Sequence, residues 1–166
     1  MLNIVLFQPS IPQNTGNIMR TCVAVGAKLH LIKPLGFSLD ENSIKRCAVN
    51  YLKEIDYVVY ADFADFLQKN NGYFVFLSRY GTKNYTEVDY VNYDNVYLFF
   101  GNESKGIPWE ILKKYQSNCY RIPTTAHFRS LNLANAVAIV AYEVMRQCDF
   151  SNLSEKDQIK GENFWL

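Results

Sequence analysis

Three short segments of this 166-residue chain carry side chains and spacings suited to holding a ligand. Residues 8–20 read QPSIPQNTGNIMR. Two prolines stiffen this stretch, Asn14 is placed to cap a following helix, and Gly16 permits close backbone approach. Arg20 falls among Ile18, Met19 and Cys22 rather than on a charged face. Residues 101–108, GNESKGIP, set Glu103 and Ser104 between Gly101 and Gly106, a tight and backbone-exposing turn in which Glu103 can also cap a neighbouring loop. Residues 122–143, IPTTAHFRSLNLANAVAIVAYE, run from a polar loop into an apolar helical stripe of Leu133, Ala136, Val137, Val140 and Ala141 that continues to Val144. Ser130 or Asn132 can cap that helix. Arg129, Ser130, Asn132 and Asn135 crowd its start, where orphan N–H groups and the positive end of the helix dipole favour a polar ligand. A capped core helix after a surface loop explains the apolar positions but not this crowding.

The chemistry open to these residues is narrow. No serine–histidine–acid set and no paired catalytic carboxylates emerge. The two histidines, His30 and His127, and four dispersed cysteines, Cys22, Cys47, Cys119 and Cys148, offer no metal spacing. GNESKGIP is not a phosphate-binding P-loop, because no Lys-Ser/Thr pair follows its second glycine, and no G-x-G-x-x-G stands behind a strand. Catalysis at such loops rests on positioning and backbone electrostatics, with the reactive group carried by an activated cofactor.

The elements that must position these loops alternate. Leu2–Phe7, Lys28–Ile32, 56–60, Tyr73–Leu77, Val96–Phe100 and 119–122 read as strands, rich in Val, Ile, Tyr and Phe. Residues 14–25, 43–52, 63–70, 108–115 and 132–147 read as helices, with Gly26 as the stop of the first and Pro108 in the first turn of the fourth. This alternation predicts an α/β fold, a mostly parallel sheet with helices on both faces. Residues 81–95 read as a long loop. The length fits one domain, residues 1–150, followed by a polar tail, 151–166, ending in Phe-Trp-Leu. Cys22 and Cys148 fall on apolar helical faces as small core residues.

A net charge of +1 excludes an argument for nucleic acid from overall charge, so any RNA-binding surface must be local. Arg20, Lys45, Arg46, Lys53, Lys113, Lys114, Arg121 and Arg129 are the cations from which folding could build one. The N-terminus lacks the pattern of a signal peptide and no apolar run reaches membrane length, which predicts a cytoplasmic protein with no membrane partner.

Taken together, P-x-I-P-x-N-T-G-N-I-x-R, G-N-E-S-K-G-I-P and I-P…R-S-L-N-L-A-N-A-V-A-I-V-x-Y-E resemble the motifs of the SPOUT methyltransferases over nearly the whole chain. The small size is most similar to their TrmL (YibK) branch, single-domain enzymes that 2′-O-methylate the wobble cytidine or modified uridine of leucine tRNAs. The resemblance implies a single-domain SPOUT fold with a C-terminal trefoil knot, a homodimer, S-adenosylmethionine as cofactor without a metal, and tRNA rather than DNA as partner. It implies a cofactor site at Leu77, Gly101, Ile122 and Ser130, with Glu103, Gly106, Pro123, Leu131, Asn132 and Asn135 shaping its loops. Arg20 corresponds to the arginine implicated in catalysis. Asn14, Lys45, Arg46 and Arg129 are the expected RNA contacts. Methylation of ribosomal RNA or another tRNA position, and a non-catalytic RNA- or cofactor-binding dimer, remain alternatives. Thr124 departs from the methionine common after Ile-Pro in relatives.

Overall fold

A computed structural model describes residues 1–39, 54–154 and 156. The expected helix at 43–52, Cys47, the cations Lys45, Arg46 and Lys53, and most of the 151–166 tail lie outside the described residues.

Strands form where the chain has apolar runs. β1 (Leu2–Phe7) and β6 (Val96–Phe100) are buried at every position, as expected of strands covered on both faces. With β2 (Lys28–Ile32), β3 (Tyr57–Tyr60), β4 (Tyr73–Leu77), β5 (Lys83–Asn84) and β7 (Cys119–Arg121) they build one parallel sheet in the order β3-β2-β1-β6-β4-β7-β5. β1 and β6 lie at its centre.

The helices cover both faces. α1 (Pro12–Val25) and α4 (Leu133–Gln147) pack over one, burying Ile18, Met19, Cys22, Val137, Val140, Ala141 and Val144 against Ile4, Leu29, Val75 and Leu98. α2 (Phe63–Lys69) and α3 (Trp109–Lys114) cover the other, an aromatic layer in which Phe66, Phe74, Phe76, Tyr97 and Phe99 meet largely edge to face. Such pairs add about 0.5–1.5 kcal/mol each beyond their burial.

Four expectations change. Residues 81–95 are not a plain loop: they hold β5, paired with β7, and short 3-10 turns at Tyr85–Glu87 and Tyr90–Asn92. A two-residue strand carries no periodicity, so only its pairing reveals it. Tyr90 is buried, its hydroxyl donating to the Tyr85 carbonyl and its N–H donating to Gln147 on α4. α1 begins at Pro12, two residues before the expected cap, because proline needs no N–H partner in a first turn. Pro108 sits just before α3 rather than inside it. Cys22 is fully buried, as expected; Cys148 is half-buried.

Register decides where the functional loops emerge. Leu6 pairs with Phe100, Phe100 with Leu77, and Leu77 with Tyr120, so the carboxyl ends of β1, β6, β4 and β7 lie level. The segments that follow them leave the sheet side by side. Chain order reverses here, with β2 and β3 to one side of β1 and β4 to the other, the place where open parallel sheets form a crevice.

One polar network is buried in the sheet. Asn3 donates from Nδ2 to the Val96 carbonyl, which turns its Oδ1 to His30 Nε2 at 3.0 Å; Nδ1 of His30 lies 2.8 Å from the Tyr60 hydroxyl. Nε2 must therefore carry the proton, and Nδ1 accepts from Tyr60. Burial, helped by Lys28, pushes the His30 pKa from 6.5 down to about 4. Between those values the unfolded chain binds a proton that the folded one refuses, so stability falls as pH drops, by at most about 1.4 kcal/mol per unit. Unfolding free energies measured from pH 7 to 4 should fall more steeply for the native chain than for His30→Gln. Equal slopes would contradict this role.

Candidate active site

The four level strand ends open onto a cleft of about 460 Å3. Its walls come from Leu77–Tyr80 after β4, Phe100–Ile107 after β6, and Arg121, Ile122, Thr124 and 129–133 after β7, with Ile11 and Asn14 of the β1–α1 segment closing one side. Leu77, Phe100, Ile122 and Leu131 give it apolar patches among backbone-exposing turns and charged side chains.

The 101–107 turn is tightly folded. Asn102 and Gly106 exchange backbone hydrogen bonds of 3.2 and 2.8 Å, and Gly106 has φ +71°. A Cβ on Gly101 would stand 2.2 Å from the Gly106 carbonyl carbon, so no larger residue fits. The Asn102 side chain accepts from the N–H groups of Ser104 and Lys105 and donates to the Gln8 carbonyl at 2.7 Å.

This turn delivers Glu103 to the start of α1. One carboxylate oxygen accepts from the Ser10 N–H at 2.9 Å and the Ser10 hydroxyl at 2.8 Å. The other accepts from the Ile11 N–H at 3.1 Å and Asn14 Nδ2 at 3.2 Å. Ile11, the residue before the helix, has no side-chain cap to offer, and a carboxylate from about 90 residues away serves the orphan donors instead. Negative charge there also suits the helix dipole. Burial alone would raise the Glu103 pKa; the donors from Ser10 and Asn14 outweigh it and hold the carboxyl below its ordinary value.

Asn14 is thereby released from capping. Its Oδ1 accepts from Asn132 Nδ2 at 2.9 Å, while Asn132 Oδ1 accepts from the Ala134 and Asn135 N–H groups and caps α4. Glu103, Asn14 and Asn132 form one relay through all three segments singled out in the sequence.

Asn14 and Asn132 are also a wall with two sides. Beyond it, between the exposed faces of α1 and α4, runs a shallow groove of about 700 Å3 lined by Asn17, Arg20, Thr21, Val23, Ala24, Asn135, Ala138 and Tyr142. Leu77, Gly101, Glu103, Ile122, Ser130, Leu131, Asn132, Asn14 and Arg129 all line the cleft. Gly106 belongs to its tight turn. Asn135 lies in the groove instead, three positions past the cap, and Arg20 shares that groove. Both carboxylate oxygens of Glu103 are engaged by α1, so its action on a ligand is through loop position. His127 is exposed.

Sequence reasoning treated three loops as the site and missed the fourth. Ser78, Arg79 and Tyr80 follow β4 at the same level, and the strand alternation itself was the signal that could have found them. The cleft gathers Arg79, Lys105, Arg121 and Arg129, with Arg20 in the adjoining groove. None of the five forms an ion pair with a described residue. A chain of net charge +1 thus concentrates cations at one site. Lys113 and Lys114 lie on α3, outside it. Among the described residues no group of three or more histidine, cysteine or acidic side chains is placed to hold a metal.

Comparison with known proteins agrees with this layout. Residues 1–142 match the SpoU rRNA Methylase family. A Listeria monocytogenes protein, provisionally named tRNA (cytidine(34)-2′-O)-methyltransferase, is 44% identical over 156 residues, covering 93% of this chain and 92% of its own. A solved structure concerned with the 2-OH methylation of C/U34 on tRNA superimposes with a TM-score of 0.84 at 42% identity, over 90% of this chain and 97% of that one. An AdoMet-bound rRNA methyltransferase from Sinorhizobium meliloti gives a TM-score of 0.80 at 29% identity, over 92% of this chain and 57% of that one.

Glu103→Gln keeps the shape of the relay and removes its charge. Hydrogen bonds to charged groups contribute about 1.5–3 kcal/mol each, so the variant should lose about 1–3 kcal/mol in denaturant unfolding at neutral pH. Because the folded carboxyl titrates below its ordinary value, the loss should shrink as pH falls through that range. A variant as stable as the native chain at neutral pH would contradict the assignment.

Proposed function

Because the chain belongs to the SpoU rRNA methylase family, we propose that it is a cytoplasmic enzyme transferring the methyl group of S-adenosylmethionine to the ribose 2′-hydroxyl of tRNA nucleotide 34, the wobble position. The relative named for cytidine(34) and the structure concerned with C/U34 support the nucleotide. The leucine isoacceptors, and cytidine or a modified uridine as target, follow from the motif resemblance. The single observation carrying the reading is the Asn14–Asn132 wall, which sets a ligand-sized cleft directly against a groove holding Arg20.

The residues present fit the cofactor. The cleft volume lies in the range of small-molecule sites, Leu77, Phe100, Ile122 and Leu131 supply apolar contact among its polar groups, and its turns expose backbone groups able to read a nucleoside. Leu77, Gly101, Ile122 and Ser130 would hold S-adenosylmethionine, with Leu131, Asn132 and the 101–107 turn shaping the site. When bound, it would supply an electrophilic methyl on a sulfonium, whose neutral thioether is the leaving group. What remains for the protein is alignment and help with one proton.

Arg20 is exposed, and an arginine side chain is no general base. Its role is electrostatic: it favours the deprotonating 2′-hydroxyl, or orients it through an adjacent phosphate. Asn14 and Arg129 contact the RNA. Lys45 and Arg46 are further proposed RNA contacts on motif resemblance alone. The groove between α1 and α4, with Val23, Ala24, Ala138 and Tyr142 on its surface, supports a homodimer closing over this face. The C-terminal trefoil knot, expected by resemblance from the second and third motifs, is part of the same proposal.

The test is methyl transfer from labelled S-adenosylmethionine to tRNA lacking wobble ribose methylation, with nuclease mapping of the product. The native chain should place a 2′-O-methyl at nucleotide 34. Arg20→Ala should abolish transfer while cofactor affinity stays within a few-fold. A fully active Arg20→Ala would overturn that role, and transfer only to ribosomal RNA would overturn the substrate.

A further inference from the structure

Two large aromatic side chains stay exposed at the cleft, Tyr80 in its wall and Trp109 just outside it. Tyr80 is 59% and Trp109 62% exposed, and their rings meet edge to face at 6.3 Å. Arg79 lies over the Tyr80 ring, 4.8 Å from its centroid, and donates to its hydroxyl at 2.6 Å. Resting on the RNA methyltransferase reading, we propose that Arg79, Tyr80 and Trp109 form a stacking subsite for an unpaired nucleobase of the RNA, next to the nucleotide that reacts.

The surface is preset. Ser78 donates from its N–H to the Tyr120 carbonyl at 2.9 Å, accepts from the Gly81 N–H at its carbonyl, and accepts from the Tyr80 N–H at its hydroxyl. A Cβ on Gly81 would stand 2.3 Å from the Tyr120 carbonyl carbon, so the turn is pressed against β7. Trp109 opens α3, directly after the turn that carries Glu103. Both aromatics are thereby fixed to the walls of the cleft. Rigid exposed rings joined to a guanidinium suit the face of a splayed-out base, which every nucleobase presents.

Charge favours RNA as the occupant. Arg79, Lys105, Arg121 and Arg129 line the cleft, and among the described residues its one acidic side chain, Glu103, is committed to the 10–14 segment. A single-stranded loop brings stacking faces and phosphates together, matching both features. With the Tyr80 hydroxyl bonded to Arg79, recognition falls to the ring face, so the subsite should add affinity with little base preference.

The chain has two tryptophans, Trp109 and Trp165, so Trp165→Phe leaves Trp109 as the reporter. In that background, a tRNA anticodon stem-loop should quench tryptophan emission. Tyr80→Ala and Trp109→Ala should each raise KM for tRNA roughly ten-fold. Trp109→Ala, outside the cleft lining, should leave S-adenosylmethionine affinity unchanged, and neither variant should alter the salt dependence of RNA binding, whereas Arg129→Ala flattens it. Tyr80→Phe, which keeps the ring, should restore most of the affinity. Unchanged KM in both alanine variants, or loss of cofactor affinity in Trp109→Ala in step with RNA affinity, would overturn the subsite. An active enzyme without quenching contradicts the subsite alone; cofactor binding without transfer to any RNA contradicts the methyltransferase reading.

Discussion

The site depends on one carboxylate. Glu103 receives four hydrogen bonds from the 10–14 segment, two from backbone N–H groups, and this fastens the turn after β6 to the start of α1. Without it, α1 would begin with orphan donors and no side-chain cap. Asn14 would also lose the partner that turns its carbonyl oxygen toward Asn132. Through Asn132 the same relay reaches the start of α4, and so sets the helix whose outer face makes the groove with α1. One ionised side chain thus aligns two helices and three loops without entering the chemistry.

That arrangement suits a reaction in which the protein supplies no nucleophile, acid or metal. In-line transfer demands that two ligands meet at a fixed angle and distance, so rigidity of the loops is the catalytic resource. The level ends of β1, β6, β4 and β7 supply the base of that rigidity. Gly101 and Gly81, each packed where no side chain fits, keep the turns on it. Cations gather on the same end while the chain as a whole is almost neutral, which draws a polyanion to one place.

Much of this was legible in the sequence for physical reasons. β1 and β6 are buried on both faces and therefore read as unbroken apolar runs, and α4 showed its stripe because one side of it is core. The three loops stood out because their polar and glycine residues fit no apolar strand or helix period. What escaped was long-range. Glu103 reaches residues 89 to 93 positions away, so its partners were invisible, and Asn14 looked like a helix cap because that is the commonest local use of an asparagine there. β5 is too short for a period. The His30 network looked like an ordinary strand position, because Asn3 and Tyr60 meet it only through sheet pairing.

The central claim is that the cleft and the Arg20 groove are two halves of one reaction centre divided by Asn14 and Asn132. The measurement that tests it most directly is a crystal structure with S-adenosylhomocysteine, the demethylated product, and a ribonucleotide. The account predicts the nucleoside in the cleft against Leu77, Gly101 and Ile122, its sulfur toward the Asn14–Asn132 wall, and the ribose on the Arg20 side. A cofactor product lying in the groove, or a sulfur directed away from that wall, would contradict it.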